Sequence, residues 1–122
     1  MKGSEVITRH EPSSILSGVV RHQNTLYLAG VVADDLTLDM AGQAADVFAQ
    51  IDELLEKHGS DKHHILAATI FVTDIAEKAQ MNPVWTNWLP KNALPARATI
   101  GINDLGEGVR IEVVVTAAVK VS

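Results

Sequence analysis

The chain has 122 residues, no cysteine and a formal net charge of -5. That length reads as one domain over 1–122, and the missing thiols exclude a disulfide framework, a zinc–thiolate site and a cysteine nucleophile. The ten Lys and Arg residues are scattered rather than clustered, which argues against a nucleic-acid partner. No apolar run reaches the roughly 20 residues needed to cross a bilayer, and Met1–Val6 lacks the apolar middle of a secretion signal. A cytoplasmic protein without membrane contact is expected.

In chain order, Glu5 to His10 forms a short first strand that Pro12-Ser13-Ser14 breaks. Gly18 to His22 and Thr25 to Ala29 flank Gln23-Asn24, a polar turn whose asparagine tolerates positive φ, so they read as a hairpin ended by Gly30. Ala41 to His58 carries Ala44, Val47, Phe48, Ile51, Leu54 and Leu55 at the spacing of one helical face, with Asp39 near its start and Lys57, His58 and Gly59 at its end. Ile65 to Val72 is almost continuously apolar, as for a strand covered on both faces. Asp74-Ile75-Ala76-Glu77 has the form of a capping box, yet Pro83 lies further inside and would remove a backbone donor. A short turn is therefore expected first, then a second helix with Asn82 as cap and Pro83 at its first position, burying Trp85, Trp88 and Leu89. The last two strands, Arg97 to Ile102 and Val109 to Val121, are joined by a glycine-bearing loop and are expected to pair antiparallel. This gives an α+β domain of about six strands and two helices. Two helices cover only one face of such a sheet, while the Ile65 strand and the final strand are apolar on both, so another copy of the chain is the simplest cover for the bare face.

Two charges stand out. Arg97 opens one apolar strand and Glu112 is lodged in the next, Val109-Arg110-Ile111-Glu112-Val113-Val114-Val115. Buried charges need partners. The residues alone allow either an ion pair across strands or a pair that grips a ligand with its own carboxylate. Other chemistries find less support. His63-His64 would diverge on an extended chain, His10, His22 and His58 are isolated, and none has metal-ligand spacing, so all five read as solvated and no metal is expected. There is neither a Gly-x-Ser-x-Gly elbow nor a glycine-rich phosphate loop. Trp85 and Trp88 sit at core spacing with little basic neighbourhood for stacking nucleobases.

Pro95-Ala96-Arg97-Ala98-Thr99 followed by Ile111-Glu112 resembles the C-terminal signature of the RidA/YjgF family, the reactive intermediate deaminases, also known as the endoribonuclease L-PSP family. Leu26-Tyr27-Leu28-Ala29-Gly30 resembles its glycine-ended hairpin strand, Gln43 the opening of its long helix, Ala67 to Asp74 its central strand, and Met81-Asn82-Pro83-Val84-Trp85 the start of its second helix. The resemblance covers nearly the whole chain. It implies a chorismate-mutase-like fold, a mixed sheet with two helices on one face, and a homotrimer with a central barrel and ligand clefts between subunits. It also implies cofactor-free hydrolysis of enamines and imines of the 2-iminobutanoate and 2-iminopropanoate type to 2-oxo acids and ammonia. In that reading Arg97 grips the substrate carboxylate, Glu112 positions the attacking water, the main chain at Gly30 and Thr99 contacts the ligand, and Asn82 lies near the cleft, although a helix cap is an equal reading of Asn82.

Two departures stand beside this likeness. The family's tyrosine before the first hairpin has no counterpart in Ser13-Ser14-Ile15-Leu16-Ser17, and the proline usual before the last strand gives way to Gly106-Glu107-Gly108. The residues therefore leave room for altered substrate preference, or for a noncatalytic metabolite-binding or regulatory trimer; a ribonuclease fits the acidic charge least.

Overall fold

The computed structural model describes residues 6–121; Glu5, expected to open the first strand, lies outside that range. The elements are β1 (Ile7–Pro12), β2 (Ser17–His22), β3 (Thr25–Leu28), β4 (Val31–Val32), α1 (Met40–Lys57), β5 (Ile65–Val72), α2 (Lys78–Trp88), β6 (Ala96–Gly101) and β7 (Ile111–Ala118). They form one mixed sheet in the order β1-β2-β3-β7-β5-β6, with the two-residue β4, a seventh strand beyond the six expected, also pairing with β7. Both helices pack on one face, where Val19, Leu26, Ile70, Val113, Phe48, Ile51, Met81 and Trp85 share a single core. Among the described residues no helix is long and apolar enough to cross a membrane.

α1 starts where the sequence puts it because the Asp39 carboxylate accepts a 2.9 Å bond from Gly42 N–H, satisfying one orphan donor of the first turn. It ends at Gly59, whose φ of 85° suits a residue without Cβ. The β2–β3 hairpin turns at Gln23-Asn24, with His22 opposite Thr25. The positive φ falls on Gln23, at 57°, rather than on Asn24 as expected, and the Gln23 carbonyl accepts a 3.0 Å bond from Arg21 Nε.

The two C-terminal strands do not pair with each other. β5 lies between them, antiparallel to β7 and parallel to β6, with Ala68 facing Arg97 on one side and Val115 on the other. Parallel neighbours need a crossover, and α2 supplies it; the loop after β6 therefore spans a strand instead of closing a hairpin.

α2 also begins earlier than its proline implies. Asp74 caps a single 3₁₀ turn, Ile75–Glu77, through Ala76 N–H, and α2 continues directly from it with Pro83 inside. Asn82 is thus in the helix body and not its cap. The lost backbone bond at Pro83 is offset by Met81 and Trp85, which α2 buries on either side of it.

Gln43 ties the frame together. Fully buried, it donates from Nε2 to the carbonyls of Leu38 (3.1 Å) and Gly108 (2.9 Å), while its Oε1 accepts from Arg110 N–H at 2.9 Å. At the far edge Glu11, in the left-handed region at φ 54°, accepts from Lys57 Nζ (2.8 Å) and His58 Nε2 (2.9 Å) and pins β1 to the end of α1.

Replacing Gln43 with leucine keeps the volume but removes the partners of the Leu38 and Gly108 carbonyls and of the Arg110 N–H, so we expect a loss of about 1–3 kcal/mol in denaturant unfolding. Lys57 first, and then His58, hold the Glu11 carboxyl below its ordinary 4.5. A depressed folded-state pKa stabilises above the unfolded value and ceases to do so as pH falls through the folded one. The wild-type advantage over Glu11→Gln in melting temperature should accordingly be present at neutral pH and shrink in acid, below the ordinary carboxylate pKa.

Candidate active site

β6 begins just after Pro95 and runs beside β5, so its side chains alternate in step with those of its neighbour. Ala68 and Ile70 point into the core beneath the helices. Their partners Arg97 and Thr99 therefore lie on the same, helix-covered side. Arg97 is half-buried there, with Cζ 5.1 Å from the centroid of the Trp85 ring on α2, a cation–π arrangement. No carboxylate lies within ion-pair distance of it among the described residues. Desolvation by burial holds its guanidinium below the ordinary arginine pKa. On the same two elements, α2 and β6, Asn82 Oδ1 and Thr99 Oγ1 are buried and have no hydrogen-bond partner, an uncommon state for polar atoms. Arg97 also borders a shallow depression of about 300 Å³ with Ala67, Ala68, Thr69, Ala96 and Ala98.

Glu112 sits on the other side of the sheet. Ile111, Val113 and Val115 are in the core, so the alternating Glu112 and Val114 take the bare face, Glu112 opposite Phe71 in β5 and Val32 in β4. Its carboxylate has no ion-pair partner among the described residues. Gly30 makes room for it: a Cβ at position 30 would collide with Oε2 and lie 2.8 Å from Cδ. The close approach of the Gly30 backbone is thus built around this side chain.

The strand register excludes the cross-strand ion pair that the residue types allow. Arg97 and Glu112 are on opposite faces, three rows apart, and neither neutralises the other. Of the five expected site residues, Arg97, Thr99 and Asn82 belong to the β6–α2 margin, while Gly30 and Glu112 form a second group on the bare face. Trp85 joins the first group although the sequence marks it only as core; an aromatic at helical spacing gives no sign of what lies on its ring. The same bare face carries Tyr27, which is 47% exposed, and Ile100, 43% exposed.

His58, with its side chain 12% exposed, is less solvated than expected, whereas His63, 56% exposed, is solvated as expected. His58 bonds Glu11 and lies 4.9 Å from the His10 ring, centroid to centroid. His63 and His64 do not diverge on a strand but occupy a 3₁₀ turn, where both face Asp61, His64 at 2.6 Å. Among the described residues no group of three His, Asp or Glu side chains is placed to hold a metal ion. A larger hollow of about 400 Å³ lies between Leu36–Leu38 and Asn103–Arg110, but its Arg110 is already engaged by Glu77 at 3.0 Å.

A family profile described as Endoribonuclease L-PSP matches residues 7–119. Among curated proteins, RutC family protein YoaB of Escherichia coli is 40% identical over 74 residues, covering 61% of this chain and 65% of its own. A RutC family protein of Haemophilus ducreyi is 35% identical over 74 residues, covering 61% and 63%. The chain thus spans just under two thirds of the length of these relatives. The crystal structure of NMB1025 from Neisseria meningitidis, a member of the YjgF protein family, superposes with a TM-score of 0.93 at 33% identity, over 98% of this chain and 99% of that one. A profile match across almost every strand and helix, joined to that superposition, settles the ancestry: the chain belongs to the Endoribonuclease L-PSP family, the RidA/YjgF group.

Proposed function

We propose that this protein hydrolyses short-lived enamines and imines that carry a carboxylate beside the C=N carbon, of the 2-iminobutanoate and 2-iminopropanoate type, to 2-oxo acids and ammonia without a cofactor. The observation that carries this reading is Arg97, a guanidinium partly withdrawn from water with no acidic partner among the described residues. A planar fork of donors left unpaired in this way suits a planar carboxylate.

Because Arg97 and Glu112 are on opposite faces, the proposed site is assembled between subunits of a homotrimer. The Arg97–Thr99–Asn82 margin of one subunit meets the Gly30–Glu112 face of the next. The exposed Tyr27 and Ile100 support such an arrangement, since the partner sheet would remove them from water. In the proposed reaction an enamine first tautomerises to its imine. Arg97 holds the carboxylate in plane while Glu112 accepts a proton from a water whose oxygen attacks the imine carbon. The proton returned to nitrogen gives the carbinolamine; Glu112 then takes the proton of its hydroxyl and delivers it to the amino group, so that the C–N bond breaks as the C=O bond forms and ammonia leaves the 2-oxo acid.

The assay feeds imine from a threonine dehydratase and follows ammonia above spontaneous hydrolysis. Arg97→Ala should lower kcat/KM by about 100-fold, Arg97→Lys should recover little of it because the fork is lost, and Glu112→Gln should reduce kcat with KM nearly unchanged. Absence of any acceleration by the folded wild-type protein overturns the reading. Mixing unfolded Arg97→Ala and Glu112→Gln subunits and refolding them together should restore activity at about one quarter of the sites, since each cleft then has an independent chance of receiving both intact groups. No recovery would place both groups in one subunit's site.

A noncatalytic metabolite-binding trimer is the second reading. It is favoured by the turn where the family tyrosine is missing: Ser13 closes it through Ile15 and Leu16 N–H bonds, and it presents the 86% exposed Ile15 in place of a phenol. Under it, Arg97→Ala abolishes binding of 2-oxobutanoate while Glu112→Gln changes nothing.

A further inference from the structure

We infer that Trp85 is a positioning residue for the anion-binding arginine: its indole fixes the plane of the Arg97 guanidinium, and Phe48 and Trp88 fix the indole. The inference rests on the reading of Arg97 as the carboxylate grip and adds how that grip is held. Arg97 Cζ lies 5.1 Å from the Trp85 ring centroid, and Trp85 is only 5% exposed. Trp85 meets Phe48 edge-on at 5.8 Å and Trp88 edge-on at 5.9 Å, while Phe48 and Trp88 stack on each other at 4.5 Å with their planes 1° from parallel. The far end of this cluster is tied to α1, where Trp88 Nε1 donates to Asp52 Oδ1 at 3.0 Å. A continuous set of contacts therefore runs from α1 through three rings to one guanidinium.

The arrangement matters because arginine has a long flexible stem, and gripping an anion bidentately requires one orientation of its plane. Contact with the ring restricts the guanidinium, and no side chain among the described residues takes its N–H donors in an ion pair. The ordering is then in place before a ligand arrives, and preorganisation of this kind raises affinity. Trp85 touches neither substrate nor reacting atoms in this account. Were it merely core packing, its effect on binding would follow stability and ignore the electronic character of the ring.

Site-specific replacement of Trp85 by mono-, di- and trifluorinated tryptophan tests this, because fluorine drains the negative face of the ring with little change of shape. The Kd for 2-oxobutanoate and the KM for the dehydratase-fed imine should rise stepwise, by about tenfold across the series. The kcat and the melting temperature should stay nearly constant. Trp85→Phe, a weaker π face, should fall within the series, and Trp85→Leu should exceed it. In nitrogen-15 spectra of the free protein the Arg97 Nε–H proton should show an upfield ring-current shift that Trp85→Leu removes; if the leucine variant fails to fold, the fluorinated proteins still decide. Normal binding that Arg97→Ala abolishes but the fluorinated series leaves flat overturns the role of Trp85 alone. Wild-type protein that does not bind 2-oxobutanoate, or Arg97→Ala that binds it equally well, overturns the carboxylate reading and this inference with it.

Discussion

The position of β5 between β6 and β7 governs where every chemically interesting side chain goes. A parallel β5–β6 pair requires the α2 crossover, and the crossover lays α2 along the face to which Arg97 and Thr99 point. The antiparallel β5–β7 pair sets the alternation of the last strand, with Val113 and Val115 inward and Glu112 outward. Had β6 and β7 been hairpin partners, a one-row choice of register could have put guanidinium and carboxylate side by side, and the two charges would have satisfied each other. With β5 interposed they cannot meet, and both remain available to something outside the protomer.

Two devices, one a buried amide and the other an aromatic cluster, keep that geometry fixed. Gln43 holds the loop before α1 and the loop before β7 with one side chain, and its bond from Arg110 N–H is only two residues from Glu112. The entry of β7, and with it the carboxylate, is thereby referred to the helix layer, although the loop it follows contains two positive-φ glycines, Gly106 and Gly108. On the other margin the aromatic cluster does the same for Arg97. Each half of the proposed site is therefore supported by α1, one through an amide and the other through Trp88 and Asp52.

Periodicity and caps made α1 legible in the sequence almost to the residue, and the polar Gln23-Asn24 pair made the β2–β3 hairpin legible too. Both depend on local chemistry that a window of the chain contains. The β6–β7 connection was misread because a glycine-bearing loop between two apolar runs is the same local signal whether or not a third strand intervenes; only the parallel pairing of β5 and β6, a tertiary fact, separates the cases. Pro83 misled for a related reason. Its local cost is real, but the burial of Met81 and Trp85 outweighs it, and that burial needs the sheet. Arg97 and Glu112 were recognisable as residues out of place in apolar strands. Their division between two faces was not, since it depends on register. Gln43 had a readable signal: it stands one position before Ala44 on the apolar side of α1, where a long amide is out of character unless it bonds to backbone.

An isolated protomer leaves an unusual combination of groups unsatisfied. Among the described residues, one margin carries a partly desolvated cation without a counterion and two buried oxygen atoms, Asn82 Oδ1 and Thr99 Oγ1, without partners. The bare face carries a carboxylate with no ion-pair partner among the described residues, on the same face as exposed apolar side chains such as Tyr27 and Ile100. Burial makes unmatched polar groups costly, so the arrangement is sensible only if binding supplies the missing partners. Apolar contact alone could cover Tyr27 and Ile100, but it would bury the Glu112 carboxylate on the same face without a partner. An anion alone could satisfy Arg97, but it would leave Glu112 on the opposite face with nothing to act upon. In the proposed reading, assembly that brings one subunit's arginine margin against another's glutamate face, with a carboxylate-bearing ligand between them, would resolve both at once. Under that proposal, the two opposed half-sites would make oligomerisation and ligand capture parts of the same physical requirement.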